Sequence, residues 1–236
     1  MVSPLPTDSS RLYALVPCAG VGQRAGTAGP KQYETLAGRA VVAHTLAALL
    51  AVPRLHAVLV VLSPDDAEFE RRVPGFGGAR AWVARCGGSS RAASVAMGLA
   101  ELQAGGATDH DWVLVHDAAR CLLRPEWVER LIEACAADAV GGLLALPLAD
   151  TLKQEAAGRV AATIDRSHKW AAQTPQMFRL SLLRSALAGA GPAVTDEASA
   201  VESLGLAPLL VRGELENLKL TWPQDFALAA RLLETR

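Results

Sequence analysis

The chain has 236 residues, 51 % of them apolar, and a formal net charge of −1 at pH 7. That length suits one large α/β domain, and the near-cancelling charge provides no basic field for nucleic acid. Aromatic residues make up 5 %, too few for base-stacking platforms, and no apolar run reaches the roughly eighteen residues of a membrane span.

The first ten residues are polar with prolines and lack the apolar core of a signal peptide. Apolar runs at 12–16, 57–62, 81–84, 112–116 and 141–146 predict strands, and their continuity suits strands covered on both faces. Helical spacing occupies 41–50, 66–72, 91–103 and 126–136, as with Val95, Leu99 and Leu102. Ser89 or Ser90 is placed to cap the third helix, and Pro125 suits a first turn. Strand–helix alternation implies an α/β fold with a doubly wound, mostly parallel sheet whose ligands sit at the strands' carboxyl ends.

The pattern breaks after Pro147. Residues 150–153 and 160–166 flank a polar turn at 154–159, which predicts a hairpin too polar for a core. This arm, about 148–168, is expected to reach a partner subunit. Helical patterns resume at 180–187 and 197–204, followed by a strand at 208–211 and a helix at 223–233. With no repeat or long linker, residues 1–236 read as a single domain with an arm. The chain stops at Arg236, so no second enzyme is expected behind it. Cys18, Cys86, Cys121 and Cys135 form no C-x-x-C pair and suit a reducing cytoplasm, and the scattered histidines suggest no zinc site.

The first strand runs directly into Pro17-Cys18-Ala19-Gly20-Val21-Gly22-Gln23-Arg24-Ala25-Gly26, with Pro30-Lys31-Gln32 soon after. Glycines let backbone N–H groups turn inward, and Arg24 and Lys31 beside them can neutralise a polyphosphate. A Walker A loop is excluded because no Gly-Lys-Ser/Thr occurs. The glycine spacing also misses the dinucleotide fingerprint, which disfavours a dehydrogenase.

Further clusters fall where such a sheet builds its site. Gly87-Gly88-Ser89-Ser90-Arg91, with Ser94 one turn on, is either a capped helix start or a turn pressed against a flat base. His116-Asp117-Ala118-Ala119-Arg120 ends the fourth strand. Asp117 is either a cap, a salt-bridge partner of Arg120 or an Mg²⁺ ligand, and the small alanines leave room for the last. Gln173-Thr174-Pro175-Gln176 and Thr195-Asp196-Glu197-Ala198-Ser199 offer hydroxyls for phosphate or polyol oxygens, although Thr195 could equally cap a helix. Lys219, in Asn217-Leu218-Lys219-Leu220-Thr221, is an exposed strand charge or a phosphate contact.

In this order, from about Leu12 to the last helix, the motifs closely resemble the 2-C-methyl-D-erythritol 4-phosphate cytidylyltransferase family. The resemblance implies a Rossmann-like nucleotidyltransferase fold, a homodimer with interlocking arms, and transfer of cytidylyl from CTP to a polyol phosphate. It matches Arg24 and Lys31 to the triphosphate and Asp117 to Mg²⁺. It assigns Ala19, Gly20, Gly22, Gly88, Ser89, Arg91 and Ser94 to CTP, and Arg120, Thr174, Thr195 and Lys219 to the substrate phosphate. It also counts Lys219 with Arg24 and Lys31 in catalysis. Thr151 and Arg166 match arm residues that enter the neighbouring subunit's site. Two positions depart from the family. Cys18 replaces a frequent alanine, and Cys121 replaces a usual proline, which is expected to loosen the loop after Arg120. The rival readings are a ribitol 5-phosphate cytidylyltransferase and, more distantly, a non-catalytic nucleotide-binding domain.

Overall fold

The computed structural model describes residues 10–20, 29–189 and 194–235. It opens with β1 (Leu12–Pro17), then a 3-10 turn at Lys31–Tyr33 and a small hairpin of β2 (Thr35–Leu36) and β3 (Arg39–Ala40). The alternation follows as α1 (Val41–Leu50), β4 (Ala57–Val61), α2 (Phe69–Arg72), β5 (Ala81–Ala84), α3 (Arg91–Ala104), β6 (Trp112–Val115), α4 (Pro125–Cys135) and β7 (Gly141–Pro147). The arm contributes β8 (Leu152–Ala156) and β9 (Arg159–Ile164). After it come β10 (Trp170–Arg179), α5 (Leu180–Ala188), α6 (Glu197–Glu202), β11 (Leu209–Arg212) and α7 (Pro223–Glu234).

Seven strands form one sheet in the order β11-β7-β10-β6-β1-β4-β5. Every neighbouring pair is parallel except those of β10, which runs antiparallel between β6 and β7. The sequence pattern predicts no strand over β10, because Gln173, Thr174 and Pro175 interrupt its apolar run. The sheet accommodates them with a register shift between Ala172 and Gln176, so Pro175, joined by a cis bond to Thr174, owes the ladder no N–H.

Two helix ends also differ from the pattern. The helix expected from 66 begins at Phe69, because the Asp66 carboxylate accepts the Glu68 and Phe69 N–H groups in a turn, both at 3.0 Å. The helix expected to 204 ends at Glu202, shortly before Gly205 turns left-handed at φ +77°. Ser90 is the cap of α3, accepting from the Ala93 N–H at 3.1 Å, and Pro125 occupies the first turn of α4.

One sheet face packs α1 and α4 through residues such as Leu46, Leu49, Leu131 and Ile132. The other packs α3, α5 and α6 through Leu99, Leu183 and Val201. Gly98 of α3 faces Leu15 and Val61, where an added Cβ would meet side-chain carbons at 2.7 Å. Each fully buried Leu contributes roughly 1.5–3 kcal/mol, so these two layers fix the sheet against which the site is built. The arm forms its own two-stranded sheet. Its turn uses Ala157 and Gly158 at φ 51° and 74°, the primed geometry that matches strand twist.

Candidate active site

The loops after β1, β5 and β6 enclose a cavity of about 480 Å³ at the carboxyl edge of the sheet. Its first wall is Pro17 to Gly20. The buried Gln32 side chain fastens that wall by donating to the Cys18 and Gly20 carbonyls at 3.1 and 2.9 Å. The second wall is the Gly87–Gly88 turn. A Cβ on Gly87 would stand 2.4 Å from Ala19 Cβ and 2.6 Å from the Leu62 carbonyl oxygen. A Cβ on Gly88 would stand 2.6 Å from Ala93 Cβ. Both glycines are therefore demanded by close packing of the β1 loop, the β4 end and the start of α3. Ser94 locks the turn: its hydroxyl accepts from the Gly88 N–H at 3.1 Å and donates to the Ser90 carbonyl at 2.9 Å.

The third wall carries the charge. Asp117 follows β6 and is buried, with Arg91 Nε 2.8 Å from Oδ1 and Lys219 Nζ 2.8 Å from Oδ2. Arg120 Nε approaches Oδ2 at 3.7 Å. Burial opposes the charged carboxylate, but Arg91, Lys219 and Arg120 outweigh it and hold Asp117 far below the ordinary carboxylate range. Arg91 is itself gripped on its other side by Glu197 through two bonds of 2.6 and 3.0 Å. Lys31 lies across the cavity and donates to the Leu220 carbonyl at 2.6 Å, tying the first loop to the segment that carries Lys219.

Behind Asp117 lies a buried polar network. The Thr174 hydroxyl accepts from the Asp117 N–H at 3.0 Å and stands 3.0 Å from His116 Nδ1. With one proton to give, that hydroxyl donates to Nδ1. His116 Nε2 then carries the ring proton toward the Arg120 carbonyl at 3.3 Å. Burial pushes His116 down to about 4, so the ring is neutral at pH 7 and suits this arrangement. Arg120 donates to the Asn217 carbonyl at 2.6 Å, and Asn217 donates through Nδ2 to the Thr174 carbonyl at 2.8 Å.

The fold thus brings Ala19, Gly20, Lys31, Gly88, Ser89, Arg91, Ser94, Asp117 and Lys219 to one cavity. Arg120 and Thr174 stand behind Asp117, as its supports. Thr195 is exposed and opens onto an adjoining cavity of about 390 Å³, which shares Ser90 and Arg91 with the first. Thr151 and Arg166 are exposed on the arm and line neither cavity. Gly22 and Arg24 lie outside the described residues. One expectation is corrected. Cys121 does not loosen the loop after Arg120, because it is buried with Leu122 and Leu220, and the Leu220 N–H pins the Ala119 carbonyl at 2.9 Å. Sequence reasoning gave no role to Gln32, His116, Asn217 or Glu197. All stand inside the quoted motifs, but their burial and long-range partners carry no local signal.

Asp117 is a single carboxylate, and among the described residues no group of three or more His, Cys, Asp or Glu could hold a metal. A carboxylate has about four acceptor positions, of which Arg91 and Lys219 take one each. The donor set therefore fits Mg²⁺, which is commonly bound through one or two carboxylates together with substrate phosphates. Four cations (Lys31, Arg91, Arg120, Lys219) face two carboxylates, a surplus suited to a polyanion.

Comparison with known proteins gives one family. The family model described as 2-C-methyl-D-erythritol 4-phosphate cytidylyltransferase matches residues 12–235. A bifunctional IspD/IspF enzyme of Albidiferax ferrireducens is 59 % identical over 99 % of this chain, which spans 55 % of that relative's length. A 2-C-methyl-D-erythritol 4-phosphate cytidylyltransferase of Burkholderia cenocepacia is 54 % identical, covering 94 % of this chain and 96 % of the relative. The crystal structure of a 4-diphosphocytidyl-2C-methyl-D-erythritol synthase superposes with a TM-score of 0.85 at 43 % identity, covering 95 % of this chain and 99 % of that one.

Proposed function

The chain belongs to the 2-C-methyl-D-erythritol 4-phosphate cytidylyltransferase family, and from that premise we propose how its residues divide the work. The family reaction joins CTP and 2-C-methyl-D-erythritol 4-phosphate to give 4-diphosphocytidyl-2-C-methyl-D-erythritol and pyrophosphate in isoprenoid synthesis. The observation that carries the residue assignment is the cluster of cations around Asp117, set opposite a glycine turn in one cavity.

The acceptor phosphate oxygen attacks the α-phosphorus of CTP in line, and the bond to the pyrophosphate oxygen breaks. The nucleophile arrives ionised, so no general base is required. Two anions must instead be brought together, and the gain comes from positioning and charge stabilisation. The packed Gly87–Gly88 turn and the Ala19–Gly20 backbone form a narrow slot for cytosine, with Ser89 at its rim. Lys31 and Arg24 receive the triphosphate. Asp117, with the phosphates, would hold Mg²⁺, which when bound supplies Lewis-acid screening of the α-phosphate and leaving group. Lys219 is held by Asp117 at the boundary between nucleotide and acceptor, where it can move to an incoming phosphate. Arg120 and Thr174 keep Asp117 in place, and Thr195 guards the acceptor side.

The arm completes the acceptor site of a second copy in a homodimer. Support comes from its exposed Thr151 and Arg166, which line neither of the two cavities described, and from Val160, which stays 65 % exposed on it. A cytoplasmic location accords with four free cysteines. No helix among the described residues is long and apolar enough to cross a membrane. The test is pyrophosphate release from CTP, Mg²⁺ and 2-C-methyl-D-erythritol 4-phosphate, expected to stop on adding EDTA. Equal turnover of ribitol 5-phosphate would overturn the acceptor assignment.

A further inference from the structure

Glu197 has no part in the chemistry above, yet it is among the most buried charged residues, 1 % exposed. It opens α6 and lines the second cavity, not the one that holds Asp117. Both its oxygens bind the Arg91 guanidinium, at 2.6 and 3.0 Å, and Arg91 presents its Nε–H to Asp117 Oδ1 at 2.8 Å. Glu197, Arg91 and Asp117 thus form a continuous carboxylate–guanidinium–carboxylate chain drawn from α6, α3 and the loop after β6.

An arginine alone beside Asp117 would be a poor neighbour for a divalent ion. Its charge repels the metal, and with Lys219 already on Oδ2 a free guanidinium could turn to take a further acceptor position of Asp117. A second carboxylate on the far side cancels that charge, and its two-bonded grip fixes the guanidinium plane, so that one N–H reaches one oxygen. We propose that Glu197 is a positioning residue for the nucleotide–metal complex. It neutralises and orients Arg91 so that Asp117 keeps an anionic face toward the cavity. This inference rests on the reading of Asp117 as a metal ligand.

The experiment titrates Mn²⁺ into protein saturated with CTP, without acceptor, and follows free Mn²⁺ by electron paramagnetic resonance. No turnover is involved. Glu197→Gln keeps the side-chain shape but leaves Arg91 uncompensated, and should weaken Mn²⁺ binding about tenfold. Adding Arg91→Met restores the charge of the trio. The double variant should therefore bind within roughly threefold of wild type, although it has lost more native contacts. A structural role alone would make the double variant worse than Glu197→Gln. Unchanged binding in Glu197→Gln, or a double variant weaker still, overturns the proposal. Should Glu197→Gln fail to fold, the double variant decides, measured at CTP concentrations that saturate it because Arg91 lines the nucleotide cavity. Replacing the whole buried pair by uncharged groups is tolerated more often than breaking it. Mn²⁺ binding weakened by more than roughly threefold in the double variant overturns the proposal. Asp117→Asn separates the two failures. Wild-type Mn²⁺ binding there removes the metal role of Asp117 and this inference with it. Weakened binding there, with Glu197→Gln unaffected, removes the role of Glu197 alone.

Discussion

The pocket around Asp117 and the arm at 148–168 are both rich in polar side chains, and the fold treats them in opposite ways. Asp117 in the pocket and Glu197 on the far side of Arg91 are buried and bonded within the chain by Arg91, and Asp117 also by Lys219. On the arm, Thr151 and Arg166 lie exposed on a hairpin that forms a sheet of its own. A buried charge costs several kcal/mol unless paired, so the pocket had to acquire its partners as the chain folded. An exposed charge meets no such demand and can be reserved for a phosphate brought by another molecule. The contrast teaches that substitutions of the pocket's buried carboxylates should damage fold and activity together, whereas arm substitutions should damage activity alone.

The sharpest way to break that contrast is Asp117→Ala. It leaves Arg91 and Lys219 without their shared carboxylate. The expected cost is about 3–5 kcal/mol in stability, together with a loss of activity on the order of a thousandfold. Urea unfolding and pyrophosphate release measure the two. A variant of wild-type stability would show that the cations find new partners at no cost.

A smaller effect is expected from Arg166→Ala and from Lys31→Ala, each lowering kcat roughly a hundredfold by removing one charge-stabilising contact. Arg166→Ala should move the unfolding midpoint little, since surface substitutions usually stay within about 0.5 kcal/mol. Mixing the two variants sharpens the comparison. If the arm acts in trans, a mixed dimer has one site lacking both residues and one site lacking neither. With full subunit exchange, checked by native mass spectrometry, about half the dimers are mixed and activity returns to about a quarter of wild type. Activity that stays at the single-variant level would assign Arg166 to its own chain.

The smallest effect concerns pH. His116 titrates near 6.5 when unfolded and is pushed down to about 4 by burial in the fold. The unfolded chain therefore takes up the proton first as the pH falls. The contribution of the neutral ring is full above pH 6.5 and is lost as the pH drops from 6.5 toward 4. Between pH 7 and pH 5 this amounts to about 2 kcal/mol. The slope should be absent from His116→Asn in parallel urea titrations. The arm, with no buried histidine of its own, should leave the slope unchanged when Arg166 is replaced.

Much of this protein is written locally. Continuous apolar runs fixed β1, β4, β6 and β7, because strands covered on both faces need apolar side chains at every position. Glycines, a carboxylate after β6 and two lysines in separate motifs gave the outline of the cavity, since tight turns and polyanions each demand particular residue types. The polar 150–166 stretch marked the arm, because such side chains cannot enter a core. Tertiary structure alone decided the rest. β10 was hidden because Pro175 denies a ladder N–H, which only the register shift against β7 between Ala172 and Gln176 forgives. The contacts that order Asp117 from a distance were hidden because His116 meets Thr174 across 58 positions and Arg91 meets Glu197 across 106. No local pattern encodes a partner at such a distance. A buried charge is tolerable only once the folded chain delivers its counter-charge, so the electrostatics of the site belong to the fold.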